Sequence, residues 1–215
     1  MDHSAPYDGR VPEPDEHYFS ARPRVASRGG TVRMMLPDVQ LELRTDAGVF
    51  SHERLDIGTR ILLEHAPPPR VRGDILDLGC GYGPIALTMA IRRKRARVWA
   101  VDVNERALDL VRENAEQAGR TNVVPSPPND VPADVRFAAI YSNPPIRIGK
   151  QALHHMLLHW LGRLLPGGSA VLVVHKHLGS DSLARWLTGA GYPTSRLLSE
   201  RGYRLLEIRT DEPEA

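Results

Sequence analysis

Ile75-Leu76-Asp77-Leu78-Gly79-Cys80-Gly81-Tyr82-Gly83-Pro84 decides the fold. A short apolar run enters a turn with glycine at alternate positions, and the turn opens a helix through Ile85-Ala86-Leu87-Thr88-Met89-Ala90. Glycine has no Cβ, so it accepts positive φ and lets the backbone come close to a ligand. The first amides of the following helix have no intrahelical acceptor and offer donors to a polar group. Strand, glycine turn and helix together make a nucleotide-type binding corner. The spacing Gly79-x-Gly81-x-Gly83 differs from the dinucleotide fingerprint, whose last glycine stands one residue further on.

Outward from this corner, strand and helix patterns alternate. Asp74–Leu78 reads as a strand and 84–93 as a helix; 97–102 is a second strand, and 104–118 a helix with Asn104 as N-cap. Val123-Val124 is a brief third strand and Phe137–Ser142 a fourth. The spacing of Leu153, Met156, Leu157, Trp160, Leu161, Leu164 and Leu165 predicts an amphipathic helix over 149–165, ended by Pro166-Gly167-Gly168. Ala170–Val174 is near-continuously apolar, as a strand buried on both faces should be. A helix over 180–190 and a hairpin of 194–198 with 203–208 around Arg201-Gly202 complete the pattern. The expectation is an α/β fold, a Rossmann-like doubly wound sheet with one antiparallel strand inside a mostly parallel array.

Upstream, alternation at Val32, Met34, Leu36 and at Val39, Leu41, Leu43 across Pro37-Asp38 predicts an N-terminal β-hairpin. A helix over 56–66 follows and is stopped by Pro67-Pro68-Pro69. The chain therefore divides into a flexible arm at 1–30, a hairpin and helix at 31–66 and a sheet domain at 67–210.

Composition narrows the function classes. The 215 residues carry 41% hydrophobic and 25% charged side chains and a net charge of +2, ordinary for a soluble globular protein. Of 28 basic residues only Lys94, Lys150 and Lys176 are lysines. The single cysteine, Cys80, excludes an internal disulfide, favours a reducing compartment and occupies a turn that needs a small side chain. No apolar run approaches the roughly 20 residues needed to cross a membrane, so no membrane partner is expected. No signal-peptide segment opens the chain, so the expected location is the cytoplasm.

Two further motifs carry chemistry. Asp102 ends the second strand, 19 positions after Gly83, where a carboxylate accepts hydrogen bonds from both hydroxyls of a ribose. Asp77, one strand earlier, is placed to face a ligand ammonium or to orient the turn. Ser142-Asn143-Pro144-Pro145 ends the fourth strand on the same sheet edge. Two prolines stiffen the backbone and free the Pro144 carbonyl from any helix ladder. The Asn143 amide oxygen beside that carbonyl forms a pair of acceptors able to grip both hydrogens of a planar exocyclic amine. The gripped nitrogen then turns its lone pair out of conjugation, towards an electrophile.

These residues resemble the class I S-adenosylmethionine-dependent methyltransferases, in their amino-methylating branch. More narrowly, His17-Tyr18-Phe19-Ser20-x-x-Pro23, Thr45-Asp46-x-Gly48-Val49-Phe50-Ser51, Asp56-x-Gly58-Thr59 and Asn143-Pro144-Pro145-Ile146-Arg147-x-Gly149-Lys150 are similar to the small-subunit ribosomal RNA guanine-N2 methyltransferases. The resemblance spans about residues 17–209. It implies a seven-stranded sheet with an antiparallel last strand, and methyl transfer from S-adenosylmethionine to the exocyclic amine of a guanine in 16S rRNA or the 30S subunit. By position it implies that Asp77, Gly79, Cys80, Gly81, Gly83, Asp102 and Val103 hold the cofactor, with Asp130 near its adenine and Gly58-Thr59 near its methionine end. Asn143, Pro144 and Pro145 would form the catalytic motif, with Asn143 also in contact with the cofactor.

The chain departs from that pattern in having Ile146 where many amino-methyltransferases place an aromatic to stack on a flipped base. Phe50 is the candidate replacement. Arg147, Lys150, His175, Lys176 and His177 follow the strands of the active edge and, with Arg22, Arg24 and Arg28, are candidates for phosphate contact. Arg92-Arg93-Lys94-Arg95 is expected as a solvated helix end at the opposite edge. The histidines lack metal-type spacing, so no metal is expected. A protein glutamine or a small-molecule amine fits the same Asn-Pro-Pro chemistry, and a cofactor-binding RNA module without transfer is the non-enzyme alternative. The oligomeric state stays open between monomer and homodimer.

Overall fold

The computed structural model describes residues 26–210. His17-Tyr18-Phe19, Arg22 and Arg24 lie outside the described residues. Strands β1 (Gly29–Met35) and β2 (Gln40–Asp46) pair antiparallel from Gly29↔Asp46 to Met35↔Gln40, as the alternation at Pro37-Asp38 predicts. Their apolar face, with Val32, Met34, Leu36, Val39 and Leu43, belongs to one buried cluster with Ile75, Ala100 and Val111. Helix α1 (Ile57–His65) follows, capped by Asp56, whose side chain accepts from Thr59 N–H.

The main sheet contains β3 (Asp74–Leu78), β4 (Val98–Val101), β5 (Val123–Ser126), β6 (Phe137–Ser142), β7 (Leu164–His175), β8 (Thr194–Glu200) and β9 (Tyr203–Arg209). Its seven strands run in the order β5-β4-β3-β6-β7-β9-β8. β9 is antiparallel to both neighbours, and the other central pairs are parallel. Every residue of β4 and β6 is buried, because helices cover both faces. Helices α2 (Pro84–Arg92) and α3 (Glu105–Gln117) lie with α1 and the hairpin over one face; α4 (Lys150–Leu161) and α5 (Ser180–Gly189) cover the other.

Two local readings change. The helix expected over 149–165 stops at Leu161, and Leu164 already pairs with Phe137 in β7. The Phe137 N–H reaches the Arg163 carbonyl at 2.8 Å, so strand pairing claims this segment before the helical stripe runs out. The β5–β6 crossover holds only a 3-10 turn at Pro128–Asp130, because Pro125, Pro127, Pro128 and Pro132 remove the amides a longer helix needs. Arg92 is not a solvated helix end: its guanidinium grips Asp38 at 2.7 and 2.8 Å and the Leu63 carbonyl at 2.8 Å. That contact holds the Asp38 carboxyl below its ordinary range and pins the hairpin turn to α2.

Candidate functional site

The glycine turn hangs on the end of β4, with the Gly79 and Cys80 amides both donating to the Val101 carbonyl at 2.8 and 3.1 Å. Gly83, with φ 90°, caps α2, and a Cβ there would stand 3.0 Å from Val111. Glycine is therefore required on two counts. The Asp102 carboxylate accepts from the Gly81 N–H and the Asn104 N–H, each at 2.9 Å. It thus ties the turn to the start of α3, while Asn104, accepting from Arg106 N–H, is the cap itself. Burial raises the Asp102 carboxyl above its ordinary value, against the lowering effect of these amides.

Asp77 is wholly buried beneath the turn, with Oδ2 accepting from the Ala86 N–H at 2.8 Å and Oδ1 without a partner. Burial first, and the Asp102 charge second, push its carboxyl up to about 8. Cys80 is buried and its thiol is driven upward by burial, so it fills space rather than acting as a nucleophile.

Asn143 leaves β6 at the same edge, where the Ser142 hydroxyl donates to the Leu78 carbonyl at 2.6 Å and locks β6 to β3. The Asn143 amide nitrogen donates to Asp56 Oδ2 at 2.8 Å and Thr59 Oγ1 at 3.1 Å. An ionised carboxylate only accepts, so the nitrogen must face α1, and the amide oxygen is left for the cleft. The Pro144 carbonyl is not wholly free, because it accepts the Ile146 N–H at 2.8 Å. The Pro145 torsions, φ −74° and ψ 74°, make an inverse γ-turn that closes this bond. A carbonyl has two lone pairs, so one remains for a substrate.

These groups open on a cleft of about 1530 Å³ running from Phe50 and Asn143 past Asp102 to the β5–β6 crossover and α4. Phe50, Gly79, Gly81, Asp102, Val103, Asn143, Pro144, Pro145, Ile146 and Arg147 line it. Cys80 and Thr59 line a small pocket of about 30 Å³ behind the turn, shared with Asp56 and Tyr82. Asp130 is exposed and does not line the cleft, whereas Pro128, Asn129 and Val131 do. Lys150 and Lys176 are exposed outside it. Gly58 lies against Tyr203, whose ring carbon would be 2.7 Å from a Cβ at that position. Among the described residues no group of His, Cys, Asp and Glu is placed to hold a metal ion. No described helix is long and apolar enough to cross a membrane.

Sequence reasoning missed Asp56, Tyr203 and the role of His175. Tyr203 lines the cleft, and the His175 ring meets it edge-on at 4.9 Å, because β7 and β9 pair these two residues directly. The only local signal for Asp56 was Asp-x-Gly-Thr, which reads equally well as a helix cap.

An open sheet of this order, with a glycine turn and two acidic strand ends at one edge, is the class I methyltransferase architecture. Residues 40–207 match the family described as methyltransferase small domain, and the chain belongs to that family. It is 36% identical over 197 residues to the uncharacterized protein YbxB of Bacillus subtilis, covering 90% of this chain and 98% of that one. It is 30% identical to ribosomal RNA small subunit methyltransferase C of Shewanella amazonensis, covering 71% of this chain and 46% of the relative. It is 32% identical to ribosomal RNA large subunit methyltransferase G of Photobacterium profundum, with 72% and 43% covered. The chain spans about half the length of these two named relatives. The T. thermophilus 16S rRNA N2 methyltransferase, solved with AdoMet and guanosine, shares the fold with a TM-score of 0.70 at 24% identity, covering 87% of this chain and 52% of that one.

The residues present fit S-adenosylmethionine. The Asp102 oxygens keep lone pairs for ribose hydroxyls, and Val103 and Val131 offer apolar walls for a base. Asp77 also predicts a pH effect. An aspartate in the unfolded chain titrates near ~4, whereas here it titrates near about 8. Between those values the unfolded chain has lost the proton that the folded chain keeps. The contribution of Asp77 to stability is therefore full below the unfolded value and is lost as pH rises through the folded one. Asp77→Asn, which keeps an oxygen for Ala86, is expected to raise Tm by several °C at about pH 8.5 and hardly at all near pH 4.5, since ~1 kcal/mol corresponds to roughly 2–4 °C in a domain of this size. Thermal denaturation at the two pH values checks this.

Proposed function

We propose that the chain transfers a methyl group from S-adenosylmethionine to the exocyclic N2 amine of a guanine in small-subunit ribosomal RNA. The observation that carries this reading is the Asn143 amide, whose nitrogen is taken by Asp56 and Thr59 and whose oxygen is left to the cleft beside the Pro144 carbonyl. When bound, the cofactor supplies a methyl group on a positively charged sulfur. Asp102 and the glycine turn hold it at the strand ends. Asn143 Oδ1 and the Pro144 carbonyl accept one hydrogen bond each from the amine. Both N–H bonds are thereby directed at the protein, and the nitrogen lone pair is turned out of the base plane. An amine that attacks in this way becomes acidic only afterwards, once the methyl–sulfur bond has broken, so its surplus proton is lost to solvent water after transfer. No strong base is required.

A base must leave its stack to reach this corner. Phe50, 55% exposed at the cleft mouth, and Ile146 offer apolar surface to it, and Tyr203 adds an aromatic face. Arg147, Lys150 and Lys176 are exposed on the same edge and suit phosphate contact. The names of the relatives support ribosomal RNA as the substrate class. Similarity to a large-subunit methyltransferase favours a second reading, in which the guanine lies in the other subunit.

Transfer of radiolabel from S-adenosylmethionine to 30S subunits, naked 16S rRNA, 50S subunits and total protein separates these readings. Label is expected in RNA of the small subunit. Label in 50S subunits alone supports the second reading, and label confined to protein overturns both.

A further inference from the structure

We propose that Asp56 is a positioning residue whose carboxylate decides which end of the Asn143 amide faces the acceptor amine. The inference rests on the amine-acceptor role of Asn143 given above and adds what enforces it. A primary amide is nearly symmetrical in shape, so rotation by half a turn exchanges its oxygen and nitrogen at almost no steric cost. The two orientations differ completely in function. With oxygen towards the cleft, Asn143 accepts from an amine. With nitrogen towards the cleft, it presents a donor to a donor and repels the substrate.

The neighbours of the amide differ in their power to discriminate. Thr59 Oγ1, 3.1 Å from the Asn143 nitrogen, is a hydroxyl that donates or accepts and so tolerates either orientation. Asp56 Oδ2, 2.8 Å away, accepts only. In the rotated state, two oxygens would meet at that distance with no hydrogen between them. Asp56 is itself fixed, because the same Oδ2 accepts the Thr59 N–H at 2.8 Å across the first turn of α1. A negative charge at a helix N-terminus is favourable, so a carboxylate suits this cap position. Gly58 completes the arrangement by letting the Tyr203 ring close over the turn. The hairpin-side helix and its cap thus reach Asn143 through Asp56 and Thr59.

The capping and positioning roles separate by substitution. Serine and asparagine are N-caps about as good as aspartate, so Asp56→Ser and Asp56→Asn should both fold with little change in Tm. Serine is too short to reach Asn143. Asparagine reaches it and offers either an acceptor or a donor, so it enforces orientation only in part. The expected order of single-turnover rates is unchanged protein, then Asp56→Asn lower by about tenfold, then Asp56→Ser lower by on the order of 10²-fold. Affinity for S-adenosylhomocysteine and for the RNA should stay near the unchanged values. A cap-only role predicts equal rates in the two variants, and that result overturns the proposal.

A second readout does not depend on transfer. In a heteronuclear NMR spectrum, the Asn143 side-chain amide protons, assigned by their disappearance in Asn143→Ala, should exchange slowly in the unchanged protein and fast in Asp56→Ser. Fast exchange in both overturns the proposal. Slow exchange without transfer to any acceptor would instead place the failure in the proposed function.

Discussion

Replacing Asn143 with alanine is expected to lower the rate of transfer by on the order of 10²–10³-fold, the usual cost of removing one preorganised hydrogen-bonding group from a reacting centre. Binding of the methyl donor should hardly change, because Asp102, the glycine turn and the apolar walls are untouched. The fold should also survive. Asp56 loses its contact to Asn143 but keeps the Thr59 N–H, so the destabilisation is about 1 kcal/mol, the net worth of one hydrogen bond. Single-turnover transfer at saturating donor, beside calorimetric titration with S-adenosylhomocysteine, checks both halves. Equal losses of binding and rate would mean that Asn143 supports the cofactor rather than the acceptor.

Asp102→Ala is expected to act in the opposite way, weakening donor binding by about 10²-fold. A hydrogen bond to a charged group contributes roughly 1.5–3 kcal/mol, and about 1.4 kcal/mol is tenfold in affinity. Two losses combine here. On the proposed placement the ribose hydroxyls lose their acceptor, and the Gly81 and Asn104 amides lose the carboxylate that joins the turn to α3. Titration with adenosine as well as S-adenosylhomocysteine separates them. A ribose contact weakens both ligands alike, whereas a loosened turn weakens mainly the ligand with the methionine end. Unchanged affinity for both would remove Asp102 from the site.

The parts of the site that were legible in the sequence are those whose chemistry is local. The glycine turn, Asp102 and Asn143-Pro144-Pro145 each announce themselves within a few residues, and parallel strand order then brings them to one edge. Asp56 was legible only as part of a short motif, because its partner stands 87 residues away and its capping role explains it without a site. Tyr203 and His175 meet through the register of an antiparallel pair, which periodicity does not fix. In the sequence the prolines imply a free Pro144 carbonyl because they interrupt helix ladders, yet the same prolines set up the γ-turn that engages it. The end of α4 was misplaced because Leu164 and Leu165 continue a helical stripe while already belonging to a strand. Arg92 looked solvated because nothing in a basic run signals a specific acceptor on a distant hairpin.

The role proposed for Asn143 is to place a guanine amine of small-subunit RNA for methylation. Nucleoside mass spectrometry of 16S rRNA tests it most directly, comparing a strain that lacks the gene with the same strain complemented by the unchanged protein or by Asn143→Ala. Loss of N2-methylguanosine on deletion, restored by the unchanged protein and not by Asn143→Ala, is the expected result. An unaltered N2-methylguanosine content in all three strains would contradict it.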